Sequence, residues 1–281
     1  MLSVVIPARD EEDCLGSCLC SILAQDAVFP VQVVVCINAA TDRTAAVAIA
    51  YAGAFRERGI TLTIVITTAP GKPHALNLAE TFCTYANRVY LDADTTISPG
   101  VLSGLAAVLA RSEPAYACAR MRAVAQSDLF SRSYVKAWTR LPAISDCAHG
   151  IGLYAVNASG RLRWQSFPTI HSEDKFVRLL FTSAERHKLA GETYTFPIAG
   201  GLADLVRLRT RWCRGNLELR ATHPEIRDDI WLRLRSYIAF LRGMPSMPIA
   251  SLVCLFVFAV ATLRAACAHR PSQYRDHSLT S

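Results

Sequence analysis

The sequence predicts an α/β chain with a mostly parallel, doubly wound sheet. Three observations carry that prediction. Strand-like and helix-like periods alternate through the first hundred residues, the rhythm of a parallel sheet with crossover helices. Val31 to Ile37 is an almost unbroken Val/Ile run, as expected of a strand covered on both faces. Polar residues cluster where the strands end, at Pro7 to Glu11, Asn38 to Thr44 and Asp92 to Asp94. Doubly wound sheets bind ligands there, beyond the carboxyl ends of their strands.

Element by element, Ser3 to Pro7 is the first strand; it starts too soon, and lacks the basic opening, for a signal peptide. Glu11 to Ala24 has helical spacing. After the Val/Ile strand, Thr41 to Arg58 reads as an alanine-rich helix capped by Thr41. Thr61 to Thr67 is a third strand, His74 to Tyr85 a third helix, and Val89 to Leu91 a fourth strand. From Ala115 to about Pro197 the pattern is less regular, with Gly150, Gly152, Gly160 and several aromatics, which suits a substrate-facing subdomain. Between Arg242 and Arg264 lie 21 uncharged residues, just enough to cross a bilayer. That segment is expected to be a membrane-associated helix, spanning or interfacial, followed by a polar tail.

Composition narrows the function classes. With 52% hydrophobic and 19% charged residues, the chain can bury a large core and is not disordered as a whole. Its ten cysteines show no paired metal-ligand spacing and read as reduced thiols of a cytosolic compartment. The net charge of +7 is uneven: Leu205 to Arg242 holds nine arginines against four acids. Such a patch suits nucleic acid, an anionic membrane or a nucleotide diphosphate. The aromatic–glycine signatures of RNA-binding modules are absent, so nucleic acid is not an expected partner.

The motifs are individually plain. Asp92-Ala93-Asp94 sends two carboxylates off a strand end, an oxygen-rich site for Mg2+ or Mn2+, which keep open positions for substrate phosphates. Gly71-Lys72-Pro73-His74-Ala75-Leu76-Asn77 puts a lysine at a helix start, where phosphate is attracted. Pro7 to Glu12, Thr41 to Thr44, and Glu173-Asp174 before a helical run also read, singly, as turns and caps. His149 and His171 lack partners at metal-ligand spacing. Ser172 lacks the hydrolase elbow, and Lys72 has only one glycine of a phosphate loop.

Taken in order, these motifs resemble the inverting family-2 glycosyltransferases and their nucleotide-sugar-binding fold, called GT-A. The matches run from Val4 to about Asn216 and end at Arg211-Trp212. The resemblance implies that Pro7, Ala8 and Glu11 line the nucleobase and ribose pocket. Asn38 stands where the family usually has a base-reading aspartate. Lys72 approaches the donor diphosphate. Asp92 contacts ribose or metal, and Asp94 binds a divalent cation (Mn2+ or Mg2+). Asp174 is the general base, with Glu173 in support, and Arg211 and Trp212 sit near diphosphate and acceptor.

The expected division follows from this resemblance. Residues 1–114 form the nucleotide-sugar-binding half and 115–243 the acceptor-binding and catalytic half. Residues 244–268 form a hydrophobic membrane helix and 269–281 a polar tail. Leu208 replaces the glutamine of the family's Gln-x-x-Arg-Trp motif. That change, and a single candidate membrane helix, argue against a polymer channel and for transfer of one sugar to a lipid-linked or saccharide hydroxyl at the cytoplasmic membrane face. Two other classes stay open at this stage: a nucleotidyltransferase of the same fold, and a non-catalytic nucleotide-sugar-binding protein.

Overall fold

The computed structural model describes residues 1–145, 147–226 and 230–268. The polar tail 269–281 therefore lies outside the described residues. One eight-stranded sheet organises the chain in the order β3-β2-β1-β4-β7-β6-β8-β5. Its strands are β1 (Leu2–Ala8), β2 (Val31–Asn38), β3 (Thr61–Thr67), β4 (Arg88–Leu91), β5 (Thr96–Ile97), β6 (Tyr116–Val124), β7 (Leu153–Val156) and β8 (Arg186–Pro197). β3, β2, β1 and β4 pair in parallel. β7 then turns antiparallel to both β4 and β6. β8 runs parallel to β6, and the two-residue β5 closes the edge antiparallel. The doubly wound expectation thus holds for the first four strands, while the second half is mixed.

The parallel strands are legible from burial. β1 and β2 have almost no exposed residue because helices cover both faces. The two-residue period of a strand sends Val4, Ile6, Val33, Val35, Val89 and Leu91 to one core, and Val5, Val34, Cys36 and Tyr90 to the other. On the first face lie α1 (Leu15–Leu23), α2 (Thr44–Ala50), α3 (Ala52–Glu57), α5 (Val101–Leu109) and α6 (Leu129–Trp138). The second face carries α4 (Lys72–Glu80) and α9 (Glu173–Leu179); the short turns α7 (Pro142–Ser145) and α8 (Ala158–Arg161) precede α9 in the chain. Each fully buried Val, Ile or Leu contributes about 1.5–3 kcal/mol.

Three local expectations change. The helix read over Thr41 to Arg58 is two helices that meet at Tyr51. Its entry is held by Asp42, whose Oδ1 accepts from Thr44 N at 2.9 Å. Thr41 instead donates its backbone N–H to Asp10 Oδ1 at 2.7 Å. The third helix begins at Lys72, two residues earlier than its apolar spacing suggests, because Gly71 at φ 114° lets the chain turn straight into it.

The last described residues form three long helices: α10 (Gly201–Thr222), α11 (Ile230–Gly243) and α12 (Pro248–Ala268). α12 is the apolar segment, with mean hydropathy 2.2 over its window. Small residues at helical spacing (Ala250, Cys254, Ala261, Ala265) are buried, together with Ser251 and Val257, along its whole length. Their small size lets α12 pack along α10 and α6. Phe258 receives the Arg209 guanidinium 3.9 Å from its ring centroid. The opposite face leaves Ile249, Leu252, Phe256 and Leu263 exposed.

Candidate active site

Two strand-end loops are stitched together beyond β1 and β2. Glu11 N donates to Thr44 Oγ1 at 2.8 Å and Glu12 N to Asp42 Oδ2 at 3.0 Å. Arg43 Nε reaches back to Glu12 Oε2 at 3.0 Å. Among the described residues, Asp10 (φ 54°) and Ala39 (φ 50°) are the non-glycine left-handed residues, one in each loop. Such strain collects where a loop's shape matters to function. Asn38 turns inward, 3% exposed. Its Nδ2 donates to Ala8 O at 2.9 Å and its Oδ1 accepts from Gly71 N at 3.2 Å. It therefore ties β1 to the start of α4 rather than presenting its amide to the cleft.

The chemistry converges at the start of α4. Lys72 Nζ lies 2.7 Å from Asp92 Oδ1 and 2.7 Å from Glu173 Oε1. One lysine thus bridges Asp92, at the end of β4, to the first turn of α9, although Asp92 and Glu173 lie 81 positions apart in the sequence. Asp174 follows, with Oδ1 accepting from Lys175 N at 2.7 Å. A crevice of about 10 Å3 between these groups is lined by Pro7, Lys72, Tyr90, Asp92, Tyr154 and Asp174. That volume suits a single water.

Electrostatics separate the carboxylates. Burial, then the neighbouring Glu173 charge, push the Asp174 carboxyl up to about 7, against the pull of Lys72. Burial and Asp92 raise Asp94 to about 6. Burial, with Asp94, Asp92, Asp42 and Asp10, raises Glu11 to about 7. Burial works against the charge on Lys72, but Asp92, Glu173 and Asp174 outweigh it and hold the ammonium above the ordinary lysine range. Burial and mutual repulsion of this kind favour a bound proton or a nearby cation.

That electrostatic pattern is the test of the expected metal. No group of three or more His, Cys, Asp or Glu side chains among the described residues is set to hold a cation. Asp94 and Asp92 nevertheless supply hard oxygens at the mouth of the site, and the mutual repulsion of Glu11, Asp92 and Asp94 is what a divalent cation would relieve. A cation that keeps waters and substrate oxygens needs only one or two protein carboxylates. The residues fit such an ion. The histidines do not: the buried His149 accepts from Ile151 N at 3.2 Å, and His171 pairs with Glu218 at 2.9 Å. Burial, with Arg178 and Lys188, drives the His149 imidazole down to about 3, so it stays neutral.

α10 borders the site. Arg211 is exposed and lies one turn from Gly215 on the same helix face. A Cβ at Gly215 would meet Ser172 Oγ at 2.2 Å and His171 carbon atoms at 3.1 and 3.2 Å. Only a glycine lets α10 come this close to the loop that leads into Glu173 and Asp174 at the start of α9. Trp212 packs between Trp138 (5.5 Å) and Phe196 (6.5 Å). Phe196 in turn crowds Gly152, whose carbonyl accepts from Asp92 N at 2.9 Å. Sequence motifs did not reveal Gly215, Gly152 or Tyr154. The only signal was Gly150-Ile151-Gly152 ahead of a strand, and both glycines have positive φ.

With this geometry in view, comparison places the chain. The description Glycosyl transferase family 2 matches residues 3–163, more than half of it. The chain belongs to glycosyl transferase family 2. Within the family, it is 36% identical over 99 residues to a 4,4'-diaponeurosporenoate glycosyltransferase of Staphylococcus aureus. That stretch is 34% of this chain and 24% of the relative, so the match spans about a quarter of that relative's length. Among solved structures, the mannosyltransferase PcManGT of Pyrobaculum calidifontis, in complex with GDP-Man and Mn2+, has TM-score 0.60 and 22% identity over 95% of this chain and 75% of that one. Glucosyl-3-phosphoglycerate synthase of Mycobacterium tuberculosis, with Mn2+, UDP-Glc and phosphoglyceric acid, has TM-score 0.55 and 17% identity over 82% of this chain and 81% of that one. At these identities the likeness is one of fold, and this family-2 glycosyltransferase has the GT-A fold.

Proposed function

We propose that the chain transfers one sugar from a nucleotide-diphosphate donor to a hydroxyl acceptor, lipid-linked or saccharide, with inversion at the anomeric carbon. The observation that carries this reading is the Lys72 bridge. It joins Asp92, after β4, to Glu173 at the start of α9 and sets Asp174, held near neutrality, beside them. A base with a pKa near the working pH is the best compromise between being ionised and being basic. Asp174 takes the proton from the acceptor hydroxyl. The freed oxygen pair forms the new bond to the anomeric carbon as the old C–O bond breaks, its electrons leaving with the diphosphate. Glu173 and Lys72 hold the geometry of that end of the site.

Pro7, Ala8 and Glu11 line the nucleoside pocket, and Asn38 shapes it from behind through Ala8 and Gly71. A divalent cation held by Asp94 and Asp92 supplies, when bound, positive charge to the departing diphosphate. Lys72 and the fork-shaped Arg211 donate to the same phosphate oxygens. Trp212 acts through Phe196 and Gly152 on the position of Asp92. In this scheme residues 1–114 serve the donor and 115–243 the acceptor and catalysis. Residues 244–268 meet the cytoplasmic face of the membrane. Because α12 packs one face on α10 and α6, it rests in the bilayer interface by its outer face.

The test is a donor screen that follows nucleoside diphosphate release with and without Mn2+. Release from at least one nucleotide sugar, lost in Asp94→Ala, is expected. Pyrophosphate release would mark a nucleotidyltransferase instead. Tight donor binding with no turnover on any acceptor would mark a non-catalytic binding protein.

A further inference from the structure

A large cavity lies outside the site just described. It is a groove of about 1170 Å3 between β6, the end of α6, β8 and the turn that joins α11 to α12. Four cations line it, Arg120, Arg122, Arg140 and Lys188, and among the described residues its lining contains no carboxylate. Arg140 Nη1 donates to Lys136 O at 2.6 Å, and Lys188 Nζ to Ser145 O. Those carbonyl contacts orient the two groups without cancelling their charge. None of the four forms an ion pair among the described residues; Asp146, next to Ser145 in the sequence, lies outside them. Four like charges sharing one groove repel one another until an anion enters.

The rim identifies the anion's source. Gly243 and Met247 border the groove and flank the turn from α11 to α12. Both helices turn large apolar side chains outward. Trp231 (75% exposed), Tyr237 and Leu241 lie on α11, and Ile249, Leu252 and Phe256 on α12. Apolar side chains on two adjoining helices, with cations in the groove between them and the domain, match the layered chemistry of a bilayer surface: hydrocarbon on one side, phosphate on the other.

We propose that this groove binds the phosphate-bearing headgroup of an anionic membrane lipid while the outer faces of α11 and α12 rest in the same leaflet. The inference rests on the membrane reading of α12 but not on sugar transfer. It is tested by co-sedimenting the full chain with vesicles of phosphatidylcholine alone or of an equimolar mixture with phosphatidylglycerol. Each cation near an anionic surface is worth about a fivefold change in partition, so Arg120→Gln/Arg122→Gln/Arg140→Gln is expected to weaken binding to the mixed vesicles roughly 100-fold. Arg56→Gln/Arg111→Gln/Arg220→Gln removes the same charge away from the groove, and about a twofold loss is expected of it. Equal losses in the two triple variants would mean diffuse charge and overturn the groove. Wild-type binding that is equal on both vesicles would overturn the headgroup while leaving a membrane-bound α12 standing. Binding to neither would overturn both. Donor turnover, measured in solution, reports on the catalytic reading separately.

Discussion

Replacing Lys72 with methionine keeps most of the side chain's length, one atom short, and removes the charge that holds three carboxylates. Lys72 Nζ sits 2.7 Å from both Asp92 Oδ1 and Glu173 Oε1, and its charge opposes the burial and Glu173 repulsion that push Asp174 up to about 7. An opposite charge at this range lowers a carboxyl pKa by about 1–3 units, so at the lower end of that range its loss raises Asp174 to about 8. At pH 7 the ionised fraction then falls from about one half to about one tenth, a roughly fivefold loss of base. At pH 9 the wild-type base is almost fully ionised and the variant base about nine-tenths, so this part of the defect all but disappears. The assay is kcat/KM for donor turnover across pH 6 to 9 at fixed Mn2+, because kcat/KM titrates the free enzyme. Lost diphosphate contact adds a constant factor at every pH. The variant's deficit should therefore shrink about fivefold between pH 7 and pH 9. A deficit of equal size at both would refute the claim that Lys72 sets the ionisation of Asp174.

Three further outcomes follow from the same geometry. Asp174→Asn should stabilise the fold as it destroys activity: the unfolded carboxyl loses its proton near 4 while the folded one keeps it to about 7, so wild-type stability falls as pH rises through that window. The variant's gain in urea denaturation should grow from pH 4 to pH 7 and then level off at about 2–4 kcal/mol. Gly215→Val forces α10 away from His171 and Ser172; kcat/KM should fall about 10²-fold while calorimetric donor binding changes little, and an unaltered kcat/KM would show that the close approach is dispensable. Glu80 is nearly buried and accepts from Arg88, Arg161 and Tyr90 OH (2.6 Å); Glu80→Ala strands two guanidiniums and should cost about 3–5 kcal/mol in chemical denaturation.

The parts of this protein legible in its sequence are those governed by local periodicity. β1, β2 and β4 announce themselves because strands covered on both faces admit little but Val, Ile and Leu. Asp92, Asp94 and Asp174 stand out because carboxylates at element ends are visible without knowing the tertiary structure. What stayed hidden depends on partners far away in the chain. Asn38 occupies a site-facing position by sequence, yet turns inward because Ala8 O and Gly71 N need a partner. Trp212 reads equally as a sugar platform or as core until Trp138 and Phe196 are placed against it. Gly215 is an unremarked helical glycine until the loop at Ser172 arrives. The two faces of α12 cannot be told apart in the sequence because alanine, serine and cysteine, which pack against a neighbouring helix, carry no charge to mark them from residues that face outward.

Asp174 bears the central claim, and Asp174→Asn tests it most directly. Donor affinity and single-turnover transfer are measured on the same Mn2+-loaded sample. The account predicts donor affinity within about threefold of wild type, and transfer slowed by about 10²–10⁴-fold, the contribution of a positioned base. Transfer at the wild-type rate would contradict it and move the base elsewhere in the site.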